Sequence, residues 1–259
     1  CVFTMVTADV QRATKDEHLR ANAEGVKEIV AACRRAGVPQ LVHLSSVAVT
    51  DHFTPSVEAT EEDPLPALKE YRSAYDLSKR LGEDAVLEAT CPELATVSLR
   101  AGGIISGPGD YTFRAMWDRP GNVVTLEDTQ PIDFIAAEDL CRAALLAADR
   151  LESPAVAGQA FFVSKGEPTR SERLGELVAE QLGWQLTKLP PFAQSCIGAG
   201  MRVSHAAKEL FGQPVPGLAP HDFLRLASIQ QTFDNSKAAH VLGFESQITV
   251  EDAVARAGS

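Results

Sequence analysis

What this 259-residue sequence lacks narrows its function before any motif does. No run of about 18 or more apolar residues occurs, so no segment reads as a membrane-spanning helix. The longest charge-free stretch of interest, Leu189 to Met201, is broken by two prolines, a glutamine and a serine. The five cysteines (Cys1, Cys33, Cys91, Cys141, Cys196) form no C-x-x-C pair and no Cys/His cluster of metal-ligand spacing. That argues against a bound metal and for a reducing, cytoplasmic setting. Basic residues are short: 24 Lys and Arg against 35 Asp and Glu give a net charge of −11. Such a charge repels phosphate backbones and disfavours nucleic-acid partners. No basic flank or long apolar stretch marks the first residues as a signal peptide. Cys1 to Val6 reads as a strand already in progress, and the chain is expected to begin inside a fold.

What is present is ordinary globular material: 45% apolar and 23% charged residues, with 18 Gly and 15 Pro. A short apolar run from Val2 to Val6 precedes a segment in which Val26, Ile29, Val30 and Cys33 fall at helical spacing. Gly37-Val38-Pro39 stops that helix, and Leu41 to Leu44 forms a second apolar run ending in Ser45-Ser46. An acidic loop over 51–70 leads to a helix bearing Ala74, Leu77, Leu81 and Ala85, then to a strand at Leu94 to Leu99. Strands alternating with helices predict an α/β fold with a doubly wound parallel sheet covered on both faces. A glycine-rich turn, Gly102 to Asp110, follows the Leu94 strand, at the end where open sheets bind ligands. Pro131 to Ile135 and Gly158 to Val163 read as further strands. A capping box, Thr169-x-x-Glu172, opens a helix that Gly183 closes. Beyond it, residues 185–230 read as loops and helices. The division expected is a sheet domain over 1–165, with 104–131 reaching the substrate side, and a mostly helical substrate subdomain over 166–259.

Chemistry concentrates around one of three tyrosines. Lys79 follows Tyr75 by four residues, which places both on one helix face. A nearby ammonium favours the phenolate and draws the phenol down from about 10 toward the range of a general base. An ordinary surface pair on an amphipathic helix has the same spacing, so the neighbours decide. Ser46 ends the preceding strand, where its hydroxyl could meet the same substrate oxygen, although a strand-end capping role would also account for it. Asn22 heads the core-facing part of the first helix, where an unremarkable solvent-side asparagine is the alternative.

In order, Asn22-x-x-Gly25, Ser45-Ser46, Tyr75-x-x-Ser78-Lys79-x-x-x-Glu83, Leu99-Arg100 and Gly107-Pro108-Gly109-Asp110 resemble the extended short-chain dehydrogenases/reductases. Ala157-Gly158-Gln159-Ala160-Phe161-Phe162, Gly166-Glu167-Pro168 and Phe233-Asp-Asn-Ser-Lys237 are similar to the 3β-hydroxysteroid dehydrogenase branch, including sterol-4-carboxylate 3-dehydrogenases. The resemblance implies a Rossmann-like doubly wound sheet lacking its first strands, with a smaller C-terminal subdomain. It implies NAD or NADP as cofactor, with NAD favoured, and Tyr75 as acid/base. Lys79 would hold the nicotinamide ribose and tune Tyr75, Ser46 would orient the substrate oxygen, and Val6, Asn22, Ala101 and Ile104 would complete the cofactor side. The substrate implied is a small apolar alcohol or ketone, a steroid or sterol oxidised at its 3β-hydroxyl. The resemblance admits a homodimer and a membrane-peripheral location.

Two departures qualify this. Ala101 stands where the family usually has proline. No G-x-G-x-x-G turn follows any strand, and Gly198-Ala199-Gly200 runs on to Val203 in a helical pattern, so no glycine-rich pyrophosphate cradle is present. The first strands are therefore expected to lie upstream of Cys1, and this fragment alone should bind dinucleotide poorly. Competing readings keep the site and change the substrate, to a nucleotide sugar (epimerase or dehydratase) or a flavonoid-type ketone. A regulator that senses dinucleotide without turnover is a third. An apolar pocket holding Phe192, Cys196, Ile197 and Met201 would favour a sterol, while plain helix core would account for them equally.

Overall fold

The computed structural model describes residues 2–4, 13–106, 121–213, 215–216 and 220–257. The first half runs β1 (Val2–Thr4), α1 (Lys15–His18), a π-helical stretch (Leu19–Glu24), α2 (Gly25–Arg35), β2 (Gln40–Ser46), a 3₁₀ turn (Val47–Thr50), β3 (Ser56–Ala59), α3 (Ala74–Leu87) and β4 (Ala95–Ala101). Then come β5 (Gly103–Ile105), β6 (Asn122–Leu126), β7 (Pro131–Ile132), β8 (Phe134–Ala136), α4 (Ala137–Asp149), β9 (Gln159–Val163) and β10 (Thr169–Arg170). The remainder is α5 (Ser171–Leu182), β11 (Gln185–Leu189), α6 (Pro191–Leu210), α7 (Pro220–Leu226), β12 (Gln231–Phe233) and α8 (Val250–Ala257).

The central sheet has the order β1-β2-β4-β9 and every pairing in it is parallel. Strands β2 and β4 are buried on both faces because helices cover both, and one face of β4 is polar, carrying the buried Thr96, Ser98 and Arg100. Val42, Val97, Leu99 and Phe161 are buried with Leu140, Ala143, Ala144 and Ala147 of α4. Across the sheet, Leu41 and Leu94 are buried with Val26, Val30 and Cys33 of α2 and Val86 of α3. This is the α/β architecture the alternation of elements predicts. Ala238, Leu242 and Phe244, late in the chain, return to the α4 core.

Helix α3 is set against the π-helical stretch by a glycine. A Cβ added at Gly82 would lie 2.2 Å from the Asn22 carbonyl oxygen, so only glycine lets the two backbones meet this closely. The capping of α3 also has a local cause: the Ser73 hydroxyl accepts from the Tyr75 and Asp76 amides at 3.1 and 3.4 Å.

Several local expectations are corrected. Pro131 to Ile135 is two short strands in different sheets, separated by Asp133, whose carboxylate accepts from the Phe233 amide at 2.8 Å. Thr169 lies in β10 and caps nothing; the Glu172 amide of α5 donates instead to the Thr129 hydroxyl at 3.2 Å. A cap supplied from 43 residues away cannot be read from a local motif. Gln185–Leu189, expected as loop or helix, pairs in parallel with β6, and Ser56–Ala59, inside the expected acidic loop, pairs with β12.

The Gly82 contact carries a direct test. Gly82→Ala should destabilise the protein by about 2–3 kcal/mol, because the obstructing atom is backbone and cannot rotate away. Thermal or urea unfolding measures this, and an alanine variant as stable as the parent would show that α3 sits further from Asn22.

Candidate active site

Three elements meet at the carboxyl ends of the central strands. Ser46 is the last residue of β2, half-buried, and its hydroxyl accepts from the Ala48 amide at 3.1 Å to start the 3₁₀ turn. Ala101 ends β4 directly opposite it and is buried. The 3₁₀ turn packs on α3, which carries Tyr75 and, one turn later, Lys79. Tyr75 is half-buried and Lys79 is 4% exposed, so the pair is not the surface contact its spacing also allowed. Asn22 is likewise buried, not on the solvent side: its amide nitrogen donates to the Ser78 hydroxyl at 2.9 Å, and that hydroxyl donates to the Tyr75 carbonyl at 2.7 Å. A local π-helical stretch carries Asn22 into this contact, a distortion that recurs at functional sites.

Burial sets the electrostatics. Removal from water pushes the Lys79 ammonium down to about 8, against the pull of Glu83. His43, inside β2, is pushed down to about 3 by burial and by the charge of Lys79, so it stays neutral. Glu83, one turn beyond Lys79, is 1% exposed and accepts from Arg100 Nη2 at 2.8 Å, Arg100 Nε at 3.0 Å and the Ser98 hydroxyl at 2.8 Å. The Arg100 guanidinium also lies 5.2 Å from the centre of the Phe162 ring. Tyr71 is engaged elsewhere: its hydroxyl donates to the Val49 carbonyl and burial raises its pKa, both unfavourable to a base.

The structure therefore brings together Ser46, Tyr75, Lys79, Asn22 and Ala101 at one end of the sheet. Ile104 lies in β5 opposite Ile135 and packs against the core that α4 covers. Val6, Tyr111 and the Gly107 to Asp110 turn lie outside the described residues. Phe192, Cys196, Ile197 and Met201 form neither an apolar pocket nor helix core. All four are exposed on α6, Phe192 at 79%. Helical spacing showed that a stripe exists but not which side of the helix faces the protein. Sequence reasoning missed His52 and Asp76, since nothing local announces that a loop histidine reaches the residue beside Tyr75. Among the described residues no group of three or more potential ligands could hold a metal, and no helix is long and apolar enough to cross a membrane.

A parallel, helix-covered sheet with a half-buried tyrosine and a buried lysine one helical turn apart is a Rossmann-type α/β arrangement, and comparison with known proteins narrows it. The chain belongs to the 3-beta hydroxysteroid dehydrogenase/isomerase family, whose model matches residues 1–193. It is 28% identical to the decarboxylating sterol-4-alpha-carboxylate 3-dehydrogenase of Schizosaccharomyces pombe, over 98% of this chain and 76% of that protein. A 2-alkyl-3-oxoalkanoate reductase of Stenotrophomonas maltophilia is 34% identical over 59% of this chain and 48% of its own length. Isoform 2 of the 3beta-hydroxysteroid-dehydrogenase/decarboxylase of Arabidopsis thaliana is 26% identical over 98% of this chain, which spans 47% of that relative. Among solved structures, MoeE5 in complex with UDP-glucose and NAD superposes with a TM-score of 0.73 at 21% identity, covering 99% of this chain and 77% of that one.

Two measurements test the electrostatics. Glu83→Gln should cost about 3–5 kcal/mol in urea unfolding, because Arg100 is left buried without its counter-charge. His43 titrates at about 3 when folded and near 6.5 when unfolded, so the unfolded chain binds the extra proton between those values. Its contribution to stability is complete above pH 6.5 and is lost as pH falls toward 3, by up to about 4 kcal/mol. The stability gap between the parent and His43→Phe should therefore shift in favour of the variant between pH 7 and pH 4. A pH-independent gap would mean that His43 takes up its proton in the folded protein.

Proposed function

We propose that the protein oxidises a secondary alcohol to a ketone with a nicotinamide dinucleotide as electron acceptor, and that the alcohol is the 3β-hydroxyl of a steroid or sterol. The observation that carries the reaction class is the buried Lys79 one helical turn from Tyr75, on an α3 packed against the turn that begins at Ser46. Family membership and the relatives named for sterol-4-carboxylate and 3β-hydroxysteroid oxidation support the substrate class.

The donors present suit the nicotinamide-ribose end of such a cofactor: a buried ammonium, a phenol and a hydroxyl gathered at the strand ends. Lys79 and Tyr75 would hold the ribose, with Asn22 bracing α3 through Ser78. When bound, the dinucleotide supplies the acceptor for the electron pair that leaves the alcohol carbon. The Ser46 hydroxyl orients the substrate oxygen, and Tyr75 Oη takes its proton. The Lys79 ammonium stabilises the phenolate that must exist before that transfer. Run in reverse, the same residues protonate a ketone, as the name of the Stenotrophomonas relative implies for that protein.

The test is Tyr75→Phe in the full-length protein, assayed by absorbance of reduced nicotinamide with a 3β-hydroxysteroid. Turnover should fall by about 10² or more while the unfolding midpoint is unchanged. Near-parental turnover would remove Tyr75 as the proton acceptor.

A further inference from the structure

His52 is a titratable group beside Tyr75 that the proposed proton transfer does not use. His52 follows Asp51, whose backbone (φ 66°, ψ 107°) lies outside the regions that non-glycine residues ordinarily occupy. That bend is held in place: the Asp51 amide donates to the Ala48 carbonyl at 3.0 Å, and the Thr54 hydroxyl donates to the Asp51 carboxylate at 2.9 Å. It delivers His52 to the start of α3, where Asp76 grips it at two points. The His52 amide donates to Asp76 Oδ2 at 3.0 Å, and ring Nδ1 lies 3.1 Å from Oδ1. Asp76 is fully buried, whereas the His52 side chain is 22% exposed and can exchange its proton with solvent. A carboxylate at Nδ1 fixes the proton on that nitrogen and the plane of the ring.

The plane so fixed is that of Tyr75. The two rings are within 4° of parallel with centroids 6.3 Å apart, while His18 from α1 meets the Tyr75 ring edge-on at 5.6 Å. We propose that His52, held by Asp76, is a positioning residue for Tyr75: it aligns the phenol ring by stacking, and its protonation favours loss of the phenol proton. This rests on the reading of Tyr75 as the proton acceptor. The charges and titratable groups facing the two rings are Asp51 beside His52, Asp76 and Lys79 on α3, and His18 on α1. Burial alone would push the imidazole down, but the Asp76 charge and hydrogen bond, with Asp51, outweigh it and raise its pKa above the usual histidine value. At an effective dielectric of about 20, a positive charge about 6 Å from a phenol favours its ionisation by about two pH units.

With only three tyrosines (Tyr71, Tyr75, Tyr111), the titration can be followed directly in the full chain labelled at tyrosine ¹³Cζ, by NMR from pH 5 to 11. The Tyr75 signal should show a small step as His52 titrates, ahead of the main phenol transition. In His52→Phe, which keeps a ring but no titrating group, the step should vanish, while the main midpoint stays in place because His52 has already lost its proton when the phenol titrates. In Asp76→Asn the step should move to lower pH. A wild-type signal with no step at the His52 titration would overturn the proposal, as would a folded His52→Phe protein that keeps the step. A purely structural role for His52 would leave the Tyr75 signal without a step. Should Tyr75 not be the proton acceptor, that would appear separately, as turnover surviving Tyr75→Phe, and the titration does not depend on it.

Discussion

The Glu83 carboxylate is the constraint on which the arrangement of the site depends. It is buried, as is its partner Arg100, and a buried carboxylate is tolerated only where charge and hydrogen bonds surround it. Arg100 and Ser98, two residues apart on β4, supply both, so α3 has one register against the sheet in which Glu83 is satisfied. Tyr75, Lys79 and Glu83 follow one another at four-residue intervals on the same helix face. Fixing Glu83 at β4 thereby fixes Lys79 and Tyr75 toward the carboxyl ends of the strands, where Ser46 and Ala101 stand opposite each other. The absence of a side chain at Gly82 allows this registered helix to close on Asn22, and the chain Asn22, Ser78, Tyr75 carbonyl secures its other edge.

The same burial tunes the charges. Because Arg100 takes the best geometry at Glu83, that carboxylate only partly offsets the desolvation of Lys79, whose ammonium ends up at about 8, near the pH at which a dehydrogenase base must work. His43 lies close enough to feel Lys79 and resolves the conflict by staying neutral. His43 therefore adds no second buried cation beside Lys79. A cluster of this kind in a protein of net charge −11 is local design, since the field of the whole molecule points the other way.

Elements whose determinants are local were legible in the sequence, and those fixed by distant partners were not. The periodicity of Val26, Val30 and Cys33 and the apolar runs of β2 and β4 declare their structure because burial imposes it residue by residue. Ser46, Tyr75 and Lys79 could be placed because one lies at a strand end and two share a helix face. Hidden were contacts made across the fold: Thr129 capping α5, β3 pairing with β12, and Asp76 gripping His52 from 24 residues away. The apolar residues of α6 failed for a related reason. Helical spacing shows that Phe192 and Cys196 share a stripe, but whether that stripe faces core, cavity or solvent depends on what packs beside the helix.

This contrast bears on which parts of the fold tolerate change. The residues proposed to carry the proton transfer stand on β2 and α3, which pack in the core and are tied to β4 by the Glu83–Arg100 pair, where a substitution propagates into packing and buried charge. The strands beyond β9 lie in a four-stranded sheet with β3 and β7 and in a two-stranded sheet with β6, and α6 presents a largely exposed surface. Changes on that exposed surface meet fewer packed neighbours than changes in the core. His52 lies between the two regimes. It sits on a loop, free to vary, yet its imidazole is locked to the rigid helix through Asp76 and lies parallel to the Tyr75 ring, so variation at that one position reaches the chemistry directly.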